Sequence, residues 1–284
     1  MNLKIKNLKK MHAENLGLKN FNLEAHPGEV ISILGPNGAG KTTLIHTLLD
    51  WTEKDEGEVT FFKSLNFKDN RSSILQRVGF IADDPHLIEK LSIQDMIDYV
   101  KIHYIFWDND YEKELITKFQ LDPTSIIKTL SRGMKTKLSM LLALSYRPDL
   151  LVLDEATSGL DPRARADVLE MLVEYCSEYN KTLIYATHLL DEVNRIATKI
   201  ILLNHGEIAL EAKMETIQED IFSIPKSHYD LLDKDILVHL ANLNEEKVLV
   251  HNISGIKSVN NLDDSLKDFL SLEDIYFALT QEIK

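Results

Sequence analysis

The stretch EVISILGPNGAGKTTLIHTLLD, residues 29–50, decides how the rest of the chain is read. Its first part, EVISIL, is a short apolar run of the kind buried in a parallel sheet, entered through the turn residues Pro27 and Gly28. Its last part has helical spacing. Between them, Gly35 to Thr42 fits G-x-x-x-x-G-K-[ST], in the strand-before, helix-after setting that gives the pattern its chemistry. Glycines let successive backbone N–H groups curl around phosphate oxygens. A helix starting near Lys41 aims the positive end of its dipole at the same anion. Gly35, Pro36, Asn37, Gly38, Ala39, Gly40, Lys41, Thr42 and Thr43 are therefore expected to hold the phosphates of a nucleoside triphosphate. In that arrangement Lys41 reaches the β- and γ-phosphates and the Thr42 hydroxyl ligates Mg²⁺. The loop alone does not say which machine uses it.

Working outward, residues 3–23 have strand-like alternation, and EVTFF resumes as strand after Gly57. Residues 79–85 read as a turn, and residues 87–146 are mostly helical in spacing. DLLVLDE and KTLIYATH are further buried-strand runs, each followed by a helical pattern, and KIILLNHGEIALEA reads as a hairpin turning at His205 and Gly206. The alternation predicts an α/β protein with a largely parallel sheet, interrupted by a helical block. Three residues at strand ends extend the phosphate chemistry. Asp154 closes an apolar strand and is placed to hold Mg²⁺, while the next residue, Glu155, is placed to accept a proton from the attacking water. His188 ends another strand and is a candidate contact to the γ-phosphate.

The chain has 284 residues, of which 44% are hydrophobic and 27% charged, enough for one large or two modest domains with a full core. Its net charge of −13 argues against gripping a nucleic-acid backbone over a broad surface. The single cysteine, Cys176, has no intrachain partner, and no apolar run has the length to cross a bilayer, so a cytoplasmic chain is expected.

Five segments in order carry a resemblance: GPNGAGKT, the stretch 79–85, LSRGM at 130–134, LLVLDE with SGLD at 150–161, and His188. Together they resemble the nucleotide-binding subunit of an ATP-binding-cassette (ABC) transporter, over roughly residues 1–220. The resemblance implies a P-loop NTPase cassette at 1–222 with an inserted helical subdomain at about 84–148; beyond it the texture of the sequence changes near Ile224 and Pro225, and 223–284 read as a small accessory module. It implies ATP and Mg²⁺ as cofactors, with Lys41, Glu155 and His188 catalytic and Thr42, Asp154 and Asp83 toward the metal. It further implies that two cassettes, identical or different, enclose ATP between the phosphate loop of one and Ser131 and Gly133 of the other. Asp161 then communicates between the two sites, and separate membrane-spanning permease subunits respond to opening and closing. The subunit is expected on the inner face of the cell membrane.

The departures are specific. The position of the family's adenine-stacking aromatic falls on His12, and a metal-touching glutamine aligns with Asp83. Arg132 stands where the signature has glycine, either pointing to solvent, the preferred reading, or adding positive charge near the opposite phosphate. A narrower likeness, in GFIADDPHLIEKLSIQDMI, YIFWDNDYEKELITKFQL and SLEDIYFALT, is similar to ATPases of bacterial peptide-resistance and lantibiotic-immunity exporters. Tyr104, Phe106 and Trp107 are expected in the core of the helical block. The alternative, a cassette ATPase acting on ribosomes or nucleic acid, goes with paired cassettes or long coiled coils, and neither is present in the sequence. In the tail, Ser271 and Asp274 predict a capping box for a helix burying Leu272, Ile275, Tyr276 and Leu279.

Overall fold

A computed structural model describes residues 1–13, 16–229, 237–243, 246–252 and 267–280. In chain order, β1 (Leu3–Ala13) and β2 (Leu16–Ala25) pair antiparallel, and β3 (Val30–Leu34) runs into α1 (Lys41–Leu48). There follow β4 (Glu56–Phe61), α2 (Phe67–Leu75), β5 (Val78–Ala82), α3 (Ile93–Lys101), α4 (Asn109–Phe119) and α5 (Arg132–Leu144). Next come β6 (Leu150–Asp154), α6 (Pro162–Glu178), β7 (Thr182–Thr187), α7 (Leu190–Ile196), β8 (Lys199–Asn204) and β9 (Glu207–Lys213). The tail holds α8 (Ile217–Asp220), β10 (Ile221–Pro225), α9 (Lys226–Tyr229), β11 (Leu237–Asn242), β12 (Lys247–Asn252), β13 (Asp268–Phe269) and α10 (Leu272–Thr280).

The central sheet has the order β5-β6-β7-β3-β8-β9, parallel except for β9. Every residue of β3 and of β7 is buried, as expected of parallel strands covered on both faces. A second sheet, β2-β1-β4, shares a core with α1 and the central strands, through Leu3, Phe21 and Phe61 against Leu44, Ile45 and Leu48. On the other side, α3, α4 and α5 pack through Ile97, Leu115 and Leu141 against Leu151, Leu153 and α6. Helix starts are written locally. Ser92 and Asp95 form a reciprocal capping box on α3, and Asp161, followed by Pro162, accepts the Arg163 and Ala164 amides of α6.

Two sequence expectations are corrected here. Residues 78–82 are not a turn but strand β5, paired in parallel with β6. Gly79 makes that segment look like a breaker. A side chain there would stand 2.7 Å from the Leu151 side chain and 3.1 Å from the Ala143 carbonyl, so the glycine marks a helix passing close over the strand. In the helical block, Tyr104 stacks on Tyr146 and Trp107 packs against the core, but Phe106 is 71% exposed. Helix α2 has no counterpart in the sequence reading, because its only buried residue, Ile74, leaves no apolar stripe to detect.

The change of texture read at 222–225 falls inside β10, which sits in a four-stranded antiparallel sheet of order β11-β12-β10-β13. Ser271 and Asp274 cap α10 reciprocally as read. Leu272 and Ile275 are buried with Val193 of α7 and Ile200 and Leu202 of β8, and Tyr276 and Leu279 are partly buried beside them. The Asn204 side chain donates to the Leu279 carbonyl. Among the described residues, no helix is long and apolar enough to cross a membrane.

Candidate functional site

The carboxyl ends of four parallel strands converge at one edge of the central sheet. Leu34 lies opposite Thr187, Asp154 opposite Ala186, and Ala82 opposite Asp154. Each next residue, respectively Gly35, His188, Glu155 and Asp83, is one named from the sequence, and the outer edge of an open α/β sheet is where ligands bind. Gly40 begins α1 with φ 112°, a left-handed value, and no side chain caps this helix, so its first-turn amides are left to a ligand. The cavity here, of about 260 Å³, is lined by His12, Asn37, Gly38, Lys41, Thr43 and Glu155 among others. His12 faces it and lies 3.2 Å from the Thr43 hydroxyl through Nε2. Leu16 also lines the cavity and is half exposed, an apolar surface for a base that the sequence reading missed. Nothing local announces it, since Leu16 sits in an ordinary alternating strand.

Lys41 is only 5% exposed, and its ammonium is tied to the loop it serves. Nζ donates to the Gly35 carbonyl at 2.7 Å and the Pro36 carbonyl at 3.2 Å, and stands 3.5 Å from Glu155 Oε1. The other Glu155 oxygen is 3.1 Å from His188 Nδ1. Glu155 holds a left-handed backbone with φ 49°, and its N–H donates to the Ala186 carbonyl on β7. That bond fastens the Glu155 segment to the strand ending in His188. A cation, a carboxylate and an imidazole thus stand in a row at the mouth of the phosphate loop.

Asp154 lies behind this row and accepts a hydrogen bond from the Thr42 side chain. Burial pushes its pKa above the usual carboxylate range, and neighbouring Glu155 pushes the same way. A hydroxyl and a buried carboxylate are hard oxygen donors suited to Mg²⁺. No group of three or more His, Cys, Asp or Glu residues is arranged to hold a metal among the described residues. Thr42 and Asp154 would be the residues to hold a Mg²⁺ ion, which would supply positive charge against the phosphate oxygens.

A stability prediction arises from Asp154. Because its folded pKa is raised, its contribution to stability is present below the ordinary carboxylate range and lost as pH rises through the raised value. At neutral pH the ionised group therefore costs stability. We expect Asp154→Asn to raise the melting temperature of the nucleotide-free chain, by about 2–4 °C per kcal/mol relieved. The same change abolishes the extra stabilisation that Mg²⁺ adds to ATP. Thermal melts with ATP in EDTA and in Mg²⁺ check both parts; a variant that melts lower and still responds to Mg²⁺ contradicts the assignment.

Asp83 follows β5 directly, but its carboxylate is engaged elsewhere. Oδ1 accepts from Arg132 Nη2 at 2.6 Å and from the Ser158 hydroxyl. Arg132, at the first turn of α5, lies across Gly159 and also reaches the Ser158 hydroxyl at 2.9 Å. Arg132 is exposed, as the solvent reading has it, and its guanidinium is in addition paired with Asp83. The two departures from the resemblance pair with each other, through Asp83 Oδ1.

Ser131 is exposed and caps α5 by accepting the Met134 amide, with Gly133 partly buried beside Leu160. Neither residue lines the phosphate cavity of its own chain. The sequence-named residues therefore fall into two groups, a cradle of phosphate loop, Glu155 and His188, and an exposed helix start on the helical block.

A family model described as ABC transporter matches residues 18–158. The bacitracin transport ATP-binding protein of Bacillus licheniformis is 26% identical, the alignment covering 94% of this chain and 95% of that protein. The lantibiotic transport ATP-binding protein of Streptococcus pyogenes is 31% identical, over 78% of this chain and 96% of the relative. A solved dimeric ATP-binding cassette in a post-hydrolysis state, bound to ADP and Pi, superposes with a TM-score of 0.65 at 26% identity, over 75% of this chain and 98% of that one.

Proposed function

The chain belongs to the ABC transporter family as an ATP-binding, ATP-hydrolysing transporter subunit, and from that premise we propose that it is the motor of an exporter of amphipathic or antimicrobial peptides. The observation that carries the motor reading is the separation just described. The cradle and the exposed Ser131 helix start do not meet within one chain, so closing the site takes a second cassette. ATP then joins the pair, with α5 amides of one copy on the γ-phosphate held by the other, and hydrolysis releases it. The cassette is assigned to residues 1–220, with a helical subdomain at about 84–148, and the accessory module to the described residues from β10 onward, because a boundary at 222 would cut that strand.

The membrane partner has a surface to meet. A groove of about 420 Å³ between the sheet and the helical block is lined by Trp51, Phe80, Leu87, Tyr104 and Tyr146. The connection carrying Tyr104 leaves Ile102, Ile105 and Phe106 exposed beside it. Solvent-facing apolar side chains so grouped mark a contact surface, and the groove runs along β5, whose end leads to Asp83. A permease subunit docked there places the chain on the inner face of the cell membrane. Export of peptides is supported by the likeness to the bacitracin and lantibiotic transport proteins, and the net charge of −13 disfavours the nucleic-acid alternative.

The test is reconstitution of the chain with its membrane subunit in lipid vesicles. Bacitracin or a lantibiotic is expected to raise ATP turnover above the peptide-free rate and to leave the ATP-exposed side of the membrane. Turnover indifferent to both peptides but stimulated by RNA or ribosomes overturns the exporter reading.

A further inference from the structure

Behind the row of Lys41, Glu155 and His188 lies a second carboxylate that the sequence reading passed over. Glu192, on α7, is 3% exposed, and a buried carboxylate is costly unless its oxygens are occupied. They are. Oε1 accepts from the Thr157 hydroxyl at 2.6 Å, and Oε2 accepts from the Thr187 hydroxyl at 2.8 Å and from the Tyr185 phenol. Thr157 and Tyr185 are themselves 2.7 Å apart, and Arg165 Nε stands 3.4 Å from Oε1.

The partners all belong to segments that carry site residues. Thr157 is two residues beyond Glu155. Thr187 immediately precedes His188, and its hydroxyl also accepts the Leu189 amide at 3.1 Å, so His188 is bracketed on both sides. Arg165 is on α6, whose cap is Asp161, and its guanidinium donates to the Leu160 carbonyl at 3.4 Å. A cavity of about 420 Å³ between α6 and α7 is lined by Glu192, Arg165 and His188 together. Burial, with Glu192 alongside, pushes the Tyr185 phenol far up, so it remains a donor throughout the working range.

We propose that Glu192 is a positioning residue for ATP hydrolysis, its carboxylate holding the Glu155, His188 and Asp161 segments in one register. The proposal rests on the reading that Glu155 and His188 act on ATP. A residue that served only to fill the core would draw its partners from any neighbour; here each oxygen is met by a donor from a site-bearing segment. Catalytic groups tolerate little displacement, and small misplacements set from a distance lower turnover without touching the ligand.

The test replaces Glu192 by Gln, which keeps the size and presents an amide N–H₂ to hydroxyls that donate. The expected result is a kcat lower by about tenfold or more, with KM for ATP unchanged. In a His188→Ala background, followed by single-turnover hydrolysis, the further loss is smaller than in the wild type, because the share transmitted through His188 is already gone. A folded Glu192→Gln chain with wild-type kcat overturns the proposal, as does a loss that multiplies in full with that of His188→Ala, or one that raises KM in proportion. If Glu192→Gln does not fold, Thr187→Val, which removes one hydroxyl at constant shape, is measured against the same criteria. Wild-type turnover by His188→Ala and Glu155→Gln removes the underlying reading and the proposal with it. Indifference to Glu192→Gln alone removes only the proposal.

Discussion

Glu155→Gln lowers kcat for ATP hydrolysis by about 10²-fold or more, the range of a positioned general base, and leaves ATP affinity unchanged. The geometry explains the split. Glu155 stands 3.5 Å from the Lys41 ammonium and 3.1 Å from His188, at the rim of the cavity, with its backbone pinned by the bond to Ala186. Glutamine fits the same space but takes up no proton from water. With ATP bound, Lys41 is expected to turn to the phosphates and leave Glu155 to the attacking water and His188. With hydrolysis slowed and binding intact, the ATP-bound pair of cassettes persists. Size-exclusion chromatography with light scattering, in Mg²⁺ and ATP, is expected to show a dimer for Glu155→Gln that the wild type forms only transiently. Turnover at the wild-type rate, or a monomer at saturating ATP, contradicts the assignment.

Lys41→Ala weakens ATP binding by about 100-fold, from the loss of one or two charge-assisted hydrogen bonds at about 1.5–3 kcal/mol each, with about 1.4 kcal/mol per factor of ten. Lys41 is buried and holds the Gly35 and Pro36 carbonyls, so its side chain is pre-positioned at the loop and little conformational entropy is lost on meeting phosphate. ADP, which lacks the γ-phosphate, is expected to lose less affinity than ATP. Calorimetric titration of both nucleotides measures the two losses. Equal ATP affinity in the variant, or an equal loss for ADP, removes the γ-phosphate role.

Legibility followed the range of the interactions. The phosphate loop could be read because its requirements are local: glycine at a left-handed residue, then a helix whose amides no side chain claims. The strand ends could be read because each buried run stops at a polar residue, as Leu150 to Leu153 stop at Asp154. The hairpin turn at His205 and Gly206 likewise announces itself, and both residues have positive φ. Strand β5 could not be read, because Gly79 answers to a helix crossing overhead and not to its own neighbours in sequence. Phe106 misled for the opposite reason. An aromatic in a helical block looks like core, and only the packing shows that face left open.

By itself, then, the order of residues determined the kinds of chemistry present, the α/β class and the candidate groups Lys41, Thr42, Asp154, Glu155 and His188. Those depend on backbone conformation and periodicity within a few residues. What only the tertiary structure decided is which side chains meet. Asp83 pairs with Arg132, Glu192 gathers hydroxyls from two strand ends, α10 packs beside the helix after His188, and exposed Ser131 is not part of its own cradle's lining. Such meetings are set by sheet register and by helices packed across it, between residues far apart in the chain, and no local pattern carries that information.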